Sequence, residues 1–221
     1  MLYMVEHPPH RSAPIAHDQT NENENEIDHM RKRTLTTRRL VIYILAALIA
    51  GAAVVSAGLA GMYRVVYPAQ YQTYVEASAK ENGVDPALIY AIIKCESSFR
   101  ADAQSSIGAR GLMQLTQDTF DWVKYRMKDT SGTTYDSMFI PETNIRYGTY
   151  MIKLMLDEFG DLDTALCAYH AGRGITNEWL QNKEYSPDGL NVTAIPYSDT
   201  RAYVARVTRT IKIYKALYKF N

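Results

Sequence analysis

The residue in this chain best placed to do chemistry is one carboxylate, Glu96, which closes the segment Pro86-Ala-Leu-Ile-Tyr-Ala-Ile-Ile-Lys-Cys-Glu96. That segment is apolar on nearly all sides, so a helix built from it is buried. Glu96 then stands at the helix C-terminus, where the helix dipole presents its negative pole and the neighbours are apolar. Both effects disfavour the anion and raise the pKa. A carboxyl group kept protonated near neutral pH is what a general acid requires. Position alone also suits an ordinary helix-end glutamate that reaches solvent.

The elements that would hold Glu96 in place are short amphipathic helices with clear stops, and no stretch sustains period-two alternation. The region after Tyr67 is expected to be all-α. Asp85 followed by Pro86 reads as an N-cap with proline at the first helical position, after a preceding helix that ends at Gly83. The helix opened by Pro86 is expected to run to about Ser97. Thr116 or Asp118 caps a helix through Met127, Pro141 opens one that stops at Gly160, and Asp163 caps a short one to Ala171. Ser198 or Asp199 caps a final long helix with Tyr203, Val207, Ile211 and Tyr214 on one face.

Upstream, the chain changes character. Residues 1 to about 30 carry Pro8, Pro9, Pro14 and the polar run Asn21 to Glu26, without apolar periodicity, and are read as disordered. His7, His10 and His17 in this stretch are assigned no metal role. From Leu40 to Tyr63 no charged residue occurs. This run exceeds the ~20 residues that cross a bilayer as a helix. Arg31, Lys32, Arg33, Arg38 and Arg39 precede it, whereas Arg64 is the one nearby cation after it before Lys80. The positive-inside bias therefore puts the N-terminus in the cytoplasm and the rest outside. The expected organisation is a basic, disordered cytoplasmic tail over residues 1–39, a transmembrane helix over 40–63 in contact with lipid, and an extracytoplasmic domain over 64–221. A cleaved signal peptide competes, with small residues at Ser56, Ala57, Gly58 and Ala60, but the long leader and long apolar run favour an uncleaved anchor.

Lys plus Arg and Asp plus Glu each number 24, so no global field points to nucleic acid or to an acidic partner. Two cysteines are too few for a disulfide framework and lack zinc-site spacing.

Four ordered motifs carry a resemblance. Glu96-Ser97-Ser98-Phe99 looks like E-S-x-F, and Ser105 through Gln114 looks like S-x-x-G-A-x-G-L-M-Q. Ala168-Tyr169-His170-Ala171-Gly172 looks like A-Y-N-A-G, and Pro196 through Val204 looks like P-x-x-E-T-R-x-Y-V. Over roughly residues 70 to 215 the chain thus resembles the lytic transglycosylases of the soluble-transglycosylase type, relatives of goose-type lysozyme. The resemblance implies an all-α, lysozyme-like domain that cuts peptidoglycan glycan strands with no metal or organic cofactor.

Carried over position by position, the resemblance makes Glu96 the catalytic acid and base. It makes Ser105, Met113, Gln114, Tyr169, His170, Asp199 and Tyr203 substrate-binding residues of a glycan groove. Hydroxyls and amides suit N-acetyl and ring substituents, and tyrosine faces offer sugars an apolar surface with a polar tip. It further implies cleavage of the bond between N-acetylmuramic acid and N-acetylglucosamine with a 1,6-anhydro product. A hydrolytic muramidase is the alternative within enzymes. A weakly active glycan-binding scaffold, partnered with proteins of an envelope-spanning machine, is the alternative outside them. Four positions depart from the pattern: His170 replaces asparagine and adds a group that titrates near neutral pH, Asp199 replaces glutamate, Thr116 replaces methionine and Gln117 replaces proline. The family fold also brings Cys95 and Cys167 to one region, where either a disulfide or two buried thiols fits.

Overall fold

The computed structural model describes residues 18–220, with side chains from residue 22 onward. These residues are helical, with no strand beyond isolated bridges at Gln104, Arg110 and Leu115. The all-α expectation is met. The chain divides into two compact units, Met1–Leu59 and Ala60–Asn221.

The described part of the first unit is one element, the long helix α1 (Asp18–Val66), whose last turns belong to the second unit. Helix over residues 18–30 corrects the expectation of disorder there, while residues 1–17, with their histidines, lie outside the described residues. Glu, Met, Lys and Arg are good helix formers, and once a nucleus exists each added residue gains a hydrogen bond. An Asp28–Lys32 ion pair one turn apart adds to this. From Leu40 to Met62 the apolar side chains are exposed, Leu48, Ile49 and Val54 among them. Such a helix is long and apolar enough to cross a membrane.

In the second unit α3 (Pro86–Glu96) is the central helix, with every residue from Ala87 to Ile93 buried. Asp85 caps it through the Ala87 N–H, with Pro86 at its first position. Around it and across the domain pack α2 (Gln72–Asn82), α5 (Pro141–Phe159), α6 (Leu162–Ala171) and α8 (Ser198–Leu217). The long contact of α3 with α8 buries Tyr203, Val207, Ile211 and Tyr214, the face read from periodicity. A smaller cluster, around Phe120, Val123 and Tyr147, joins α4 (Gln117–Met127) to α5 through a 3₁₀ turn at Tyr135–Phe139.

Most helix ends fall where the sequence put them. Gly83 and Gly160 end α2 and α5 in left-handed conformation, and Thr116 caps α4. Two caps differ. Asp161, not Asp163, caps α6, because its carboxylate accepts from both the N–H and the hydroxyl of Thr164. Helix α8 has Tyr197 at its N-cap position and no side-chain cap; Asp199 instead bonds the adjacent Thr200 N–H. Helix α7 (Arg173–Gln181) was not legible, because Gly172 and Gly174 mask a short helix.

Candidate active site

Glu96 is the last residue of α3, and its position is secured by the next one. The buried Ser97 hydroxyl donates to the carbonyls of Ile93, 3.2 Å away, and Leu112, 2.8 Å away. This ties the end of α3 to the Gly108–Leu115 loop. The loop is held in turn by Asn144 of α5, fully buried and fully bonded: its Oδ1 accepts from the Met113 N–H, and its Nδ2 donates to the carbonyls of Arg110 and Met138. Gly111 permits this approach, since a Cβ there, at φ +76°, would lie 2.0 Å from the Met138 carbonyl oxygen.

Above Glu96 opens a cleft of about 610 Å³, walled by the loop, the start of α4, α5 and the end of α6. Ser105, Gln114, Tyr169 and His170 line it together with Glu96. The structure thus gathers four of the seven proposed binding residues at one opening. Ser105 closes its own turn, with Oγ accepting from the Ala109 N–H at 3.0 Å. The Gln114 amide donates to the carbonyls of Gly111 and Ala103, which leaves its oxygen available. Tyr169 donates to the Met113 carbonyl at 2.8 Å.

The other three are placed differently. Met113 has a fully buried side chain packed against Gly148, so it supports the cleft floor and does not touch a ligand through that side chain. Tyr203 is 1% exposed and lies behind the site, its ring stacked on His170 with centroids 4.4 Å apart. Its hydroxyl is close enough to Glu96 to favour the carboxylate, yet makes no hydrogen bond of ordinary geometry. Asp199 is exposed at the start of α8, outside the cleft lining. Its shorter reach leaves it to influence the site through His170.

Burial pushes the Glu96 carboxyl up to about 7, against the opposing pull of Tyr203 and of the Arg206 guanidinium. Desolvation outweighs a nearby hydroxyl and a cation because the cation is exposed and screened. His170 bonds Thr200 through Nδ1 at 3.1 Å. Burial of its stacked ring lowers its pKa from the ordinary value, with Asp199 opposing and Arg206 reinforcing that shift. The shift favours the neutral imidazole, whose polar edge resembles that of asparagine. Cys95 and Cys167 are both free thiols, and burial raises both pKa values.

Sequence reasoning missed several wall residues. Trp122, Met151 and Met155 furnish apolar surface, and Asp118 sets a second carboxylate in the lining. No motif marks them, because they come from α4 and α5, whose faces are shared between core and cleft. Among the described residues no group of three or more His, Cys, Asp or Glu side chains is arranged to hold a metal.

The transglycosylase SLT domain model matches residues 73–190. The chain belongs to this family. It is 30% identical to the soluble lytic murein transglycosylase of Escherichia coli K12 over 70% of its own length and 24% of that protein's. It is 29% identical to the membrane-bound lytic murein transglycosylase C of Yersinia enterocolitica over 66% of its length and 47% of that protein's. Among solved structures, the 70 kDa soluble lytic transglycosylase of E. coli matches with a TM-score of 0.64 and 26% identity, over 70% of this chain and 25% of that one. The chain thus spans less than half the length of these relatives, and the likeness to the solved structure confirms the lysozyme-like transglycosylase fold of an SLT domain.

Proposed function

We propose that this SLT-family chain is a membrane-anchored peptidoglycan lytic transglycosylase. The observation that carries the reading is a single glutamate, held half-buried with a pKa of about 7, at the floor of a cleft large enough for sugar rings. Named relatives are murein transglycosylases, both soluble and membrane-bound.

In this reading Glu96 donates its proton to the oxygen linking N-acetylmuramic acid to N-acetylglucosamine as that bond breaks. The substrate's own N-acetyl group stabilises the cationic centre. Glu96, now a carboxylate beside Arg206 and Tyr203, removes the proton from the C6 hydroxyl, whose oxygen attacks the anomeric carbon. The product is a 1,6-anhydro sugar, and the proton returns to Glu96. A pKa near 7 suits both halves, since donor and acceptor forms lie close in free energy. Ser105, Gln114, Tyr169 and His170 bind the glycan, and Trp122 adds an apolar platform. The apolar run of residues 40–63 anchors the enzyme in the bilayer, residues 1–39 lie in the cytoplasm, and the domain from residue 64 faces the wall.

A second reading, the hydrolytic muramidase, is favoured by one observation, the Asp118 carboxylate in the cleft wall. A second carboxylate is what positions water in many glycosidases. Mass analysis of purified sacculi digested by the protein separates the two. The lytic reaction leaves muropeptides lighter by one water than the hydrolytic ones. Glu96→Gln keeps the size and loses the transferable proton, so turnover falls by about 10²- to 10⁴-fold or more while glycan binding survives. Reducing ends from the wild type would assign the muramidase, and turnover equal to that of Glu96→Gln would remove the enzymatic reading.

A further inference from the structure

Where the apolar run of α1 ends, aromatic side chains from two distant parts of the chain form a collar. Tyr63 and Tyr67 stack one turn apart with centroids separated by 6.2 Å, and the Tyr67 ring meets Tyr214 edge-on at 6.0 Å. Tyr218 stacks on Tyr214 at 5.8 Å and on Phe220 at 5.9 Å. The Arg64 guanidinium lies over the Tyr218 ring at 5.6 Å, and the Lys94 ammonium over the Tyr67 ring at 5.5 Å. Neither cation is in an ion pair among the described residues. Beside them Tyr63, Val65 and Val66 are exposed, while Tyr67, Tyr218 and Phe220 are half-buried. All of these residues belong to the second unit.

Rings with an apolar body and a polar tip, flanked by unpaired cations, suit the boundary between hydrocarbon and headgroups. Tyr43 stands twenty residues before Tyr63 in the same helix. That spacing is a rise of about 30 Å, the thickness of the hydrocarbon core. With Tyr43 at one interface, Tyr63 falls at the other, and the headgroup layer beyond it takes in Val65 and Val66. No free linker separates the end of the run from the domain. The Tyr67 N–H donates to the Tyr63 carbonyl at 2.8 Å, Arg64 donates to the Leu217 carbonyl, and the Tyr218 hydroxyl donates to the Tyr67 carbonyl. We propose that this collar docks the domain on the bilayer surface, with Arg64, Lys94 and Lys219 taking phospholipid phosphates. The inference rests on the reading of residues 40–63 as a membrane span.

Two features favour lipid over a second copy of the chain as occupant. The collar is continuous with the apolar run, and its unpaired cations would meet like charges in a symmetric dimer but phosphates in a bilayer. Docking also bears on the reaction, because α8 joins the collar to the cleft. Thr200 bonds His170 of the cleft wall, and Leu217, seventeen residues on, accepts from Arg64. The rise between them is about 26 Å. A docked collar therefore confines cutting to strands about that close to the membrane.

The test uses the full chain in nanodiscs of phosphatidylethanolamine and phosphatidylglycerol, with photoreactive benzoylphenylalanine placed at one position at a time and folding checked by circular dichroism. Gln70, three residues after Tyr67, and Lys219, next to Tyr218, are exposed beside the collar. Leu48 is exposed within the apolar run, and Tyr125 is exposed on α4, which packs on α5. After irradiation, chains substituted at Leu48, Gln70 or Lys219 should gain the mass of one phospholipid, and chains substituted at Tyr125 should not. Adding Lys94→Gln/Lys219→Gln should lower the adduct yield at Gln70 severalfold. Lipid adducts at Leu48 alone would overturn the docking and leave the span standing. No adduct at Leu48 would refute the span, while Gln70 and Lys219 would still decide the docking. Equal adducts at Tyr125, cross-linked dimers in place of lipid adducts, or a yield indifferent to the two lysines would each overturn the proposal.

Discussion

Glu96 illustrates how a residue suited to catalysis weakens the fold that holds it. Burial lifts its pKa from the ordinary 4.5 to about 7. Below about pH 4.5 the carboxyl is neutral in both folded and unfolded chains. Between there and about pH 7 only the unfolded chain ionises, so stability falls across that window and the loss is complete above it. Glu96→Gln removes the ionisation. The variant should be more stable than the wild type at pH 8, by on the order of 1 to 3 kcal/mol, with the difference vanishing near pH 4. Thermal unfolding at the two pH values checks this, and a gap independent of pH would deny the buried, protonated state. The same residue sets the activity profile. The proposed lytic reaction needs the protonated form at the outset, so kcat/KM on sacculi should decline as pH rises through about 7.

The elements around the site depend on close approach. Gly148 of α5 lies against Met113, and a Cβ there would fall 2.4 Å from the Met113 Sδ and 2.8 Å from its Cβ. Gly148→Ala gains up to about 1 kcal/mol in helix propensity but forces an overpacked core that costs about 1 to 3 kcal/mol. The net effect should be a lower Tm. Because the Met113 carbonyl holds the Tyr169 hydroxyl, kcat should fall as well. Gly174→Ala in α7 is the contrast, since nothing lies within 4 Å of its Cβ position; it should raise Tm with the propensity gain. Melting curves and turnover on sacculi measure both, and a Gly148→Ala protein as stable and active as the wild type would refute the packing argument.

At the scale of the molecule, the final turn of α1 is built into the second unit. Tyr214 and Tyr218 donate to the carbonyls of Pro68 and Tyr67, and Arg64 donates to the Leu217 carbonyl. The Tyr67 ring meets Tyr214 edge-on at 6.0 Å. The exit from the apolar helix is thereby clamped by the C-terminal segment and is a poor protease target. A protease added outside intact protoplasts should remove the domain from about residue 65 onward only after it unfolds, and should spare the N-terminal fragment. Mild heating before digestion, followed by mass analysis of the membrane-retained piece, checks this. Protection of the C-terminal domain after heating would overturn the outside placement.

How much was legible follows from the range of each interaction. Helix bounds at Pro86, Thr116, Pro141 and Gly160, the buried face of α8 and the apolar span are local, because capping, backbone conformation and hydropathy act over a few residues. Glu96 was legible for the same reason, since its own helix supplies the apolar surroundings and the dipole. Tertiary structure alone decided which motif residues face the cleft. It turned Met113 into the floor and Tyr203 into a support behind the acid, because facing is set by packing between helices distant in sequence. It also brought in Trp122, Met151 and Asp118 from elements without a motif. The burial that lowers the His170 pKa depends on a stack with Tyr203 that no spacing encodes. The sequence by itself thus determined most of the helix bounds, the apolar span and the buried setting of Glu96, whose causes are local. The cleft and its second carboxylate exist only where α4, α5, α6 and the Gly108–Leu115 loop meet, since each wall comes from a different part of the chain.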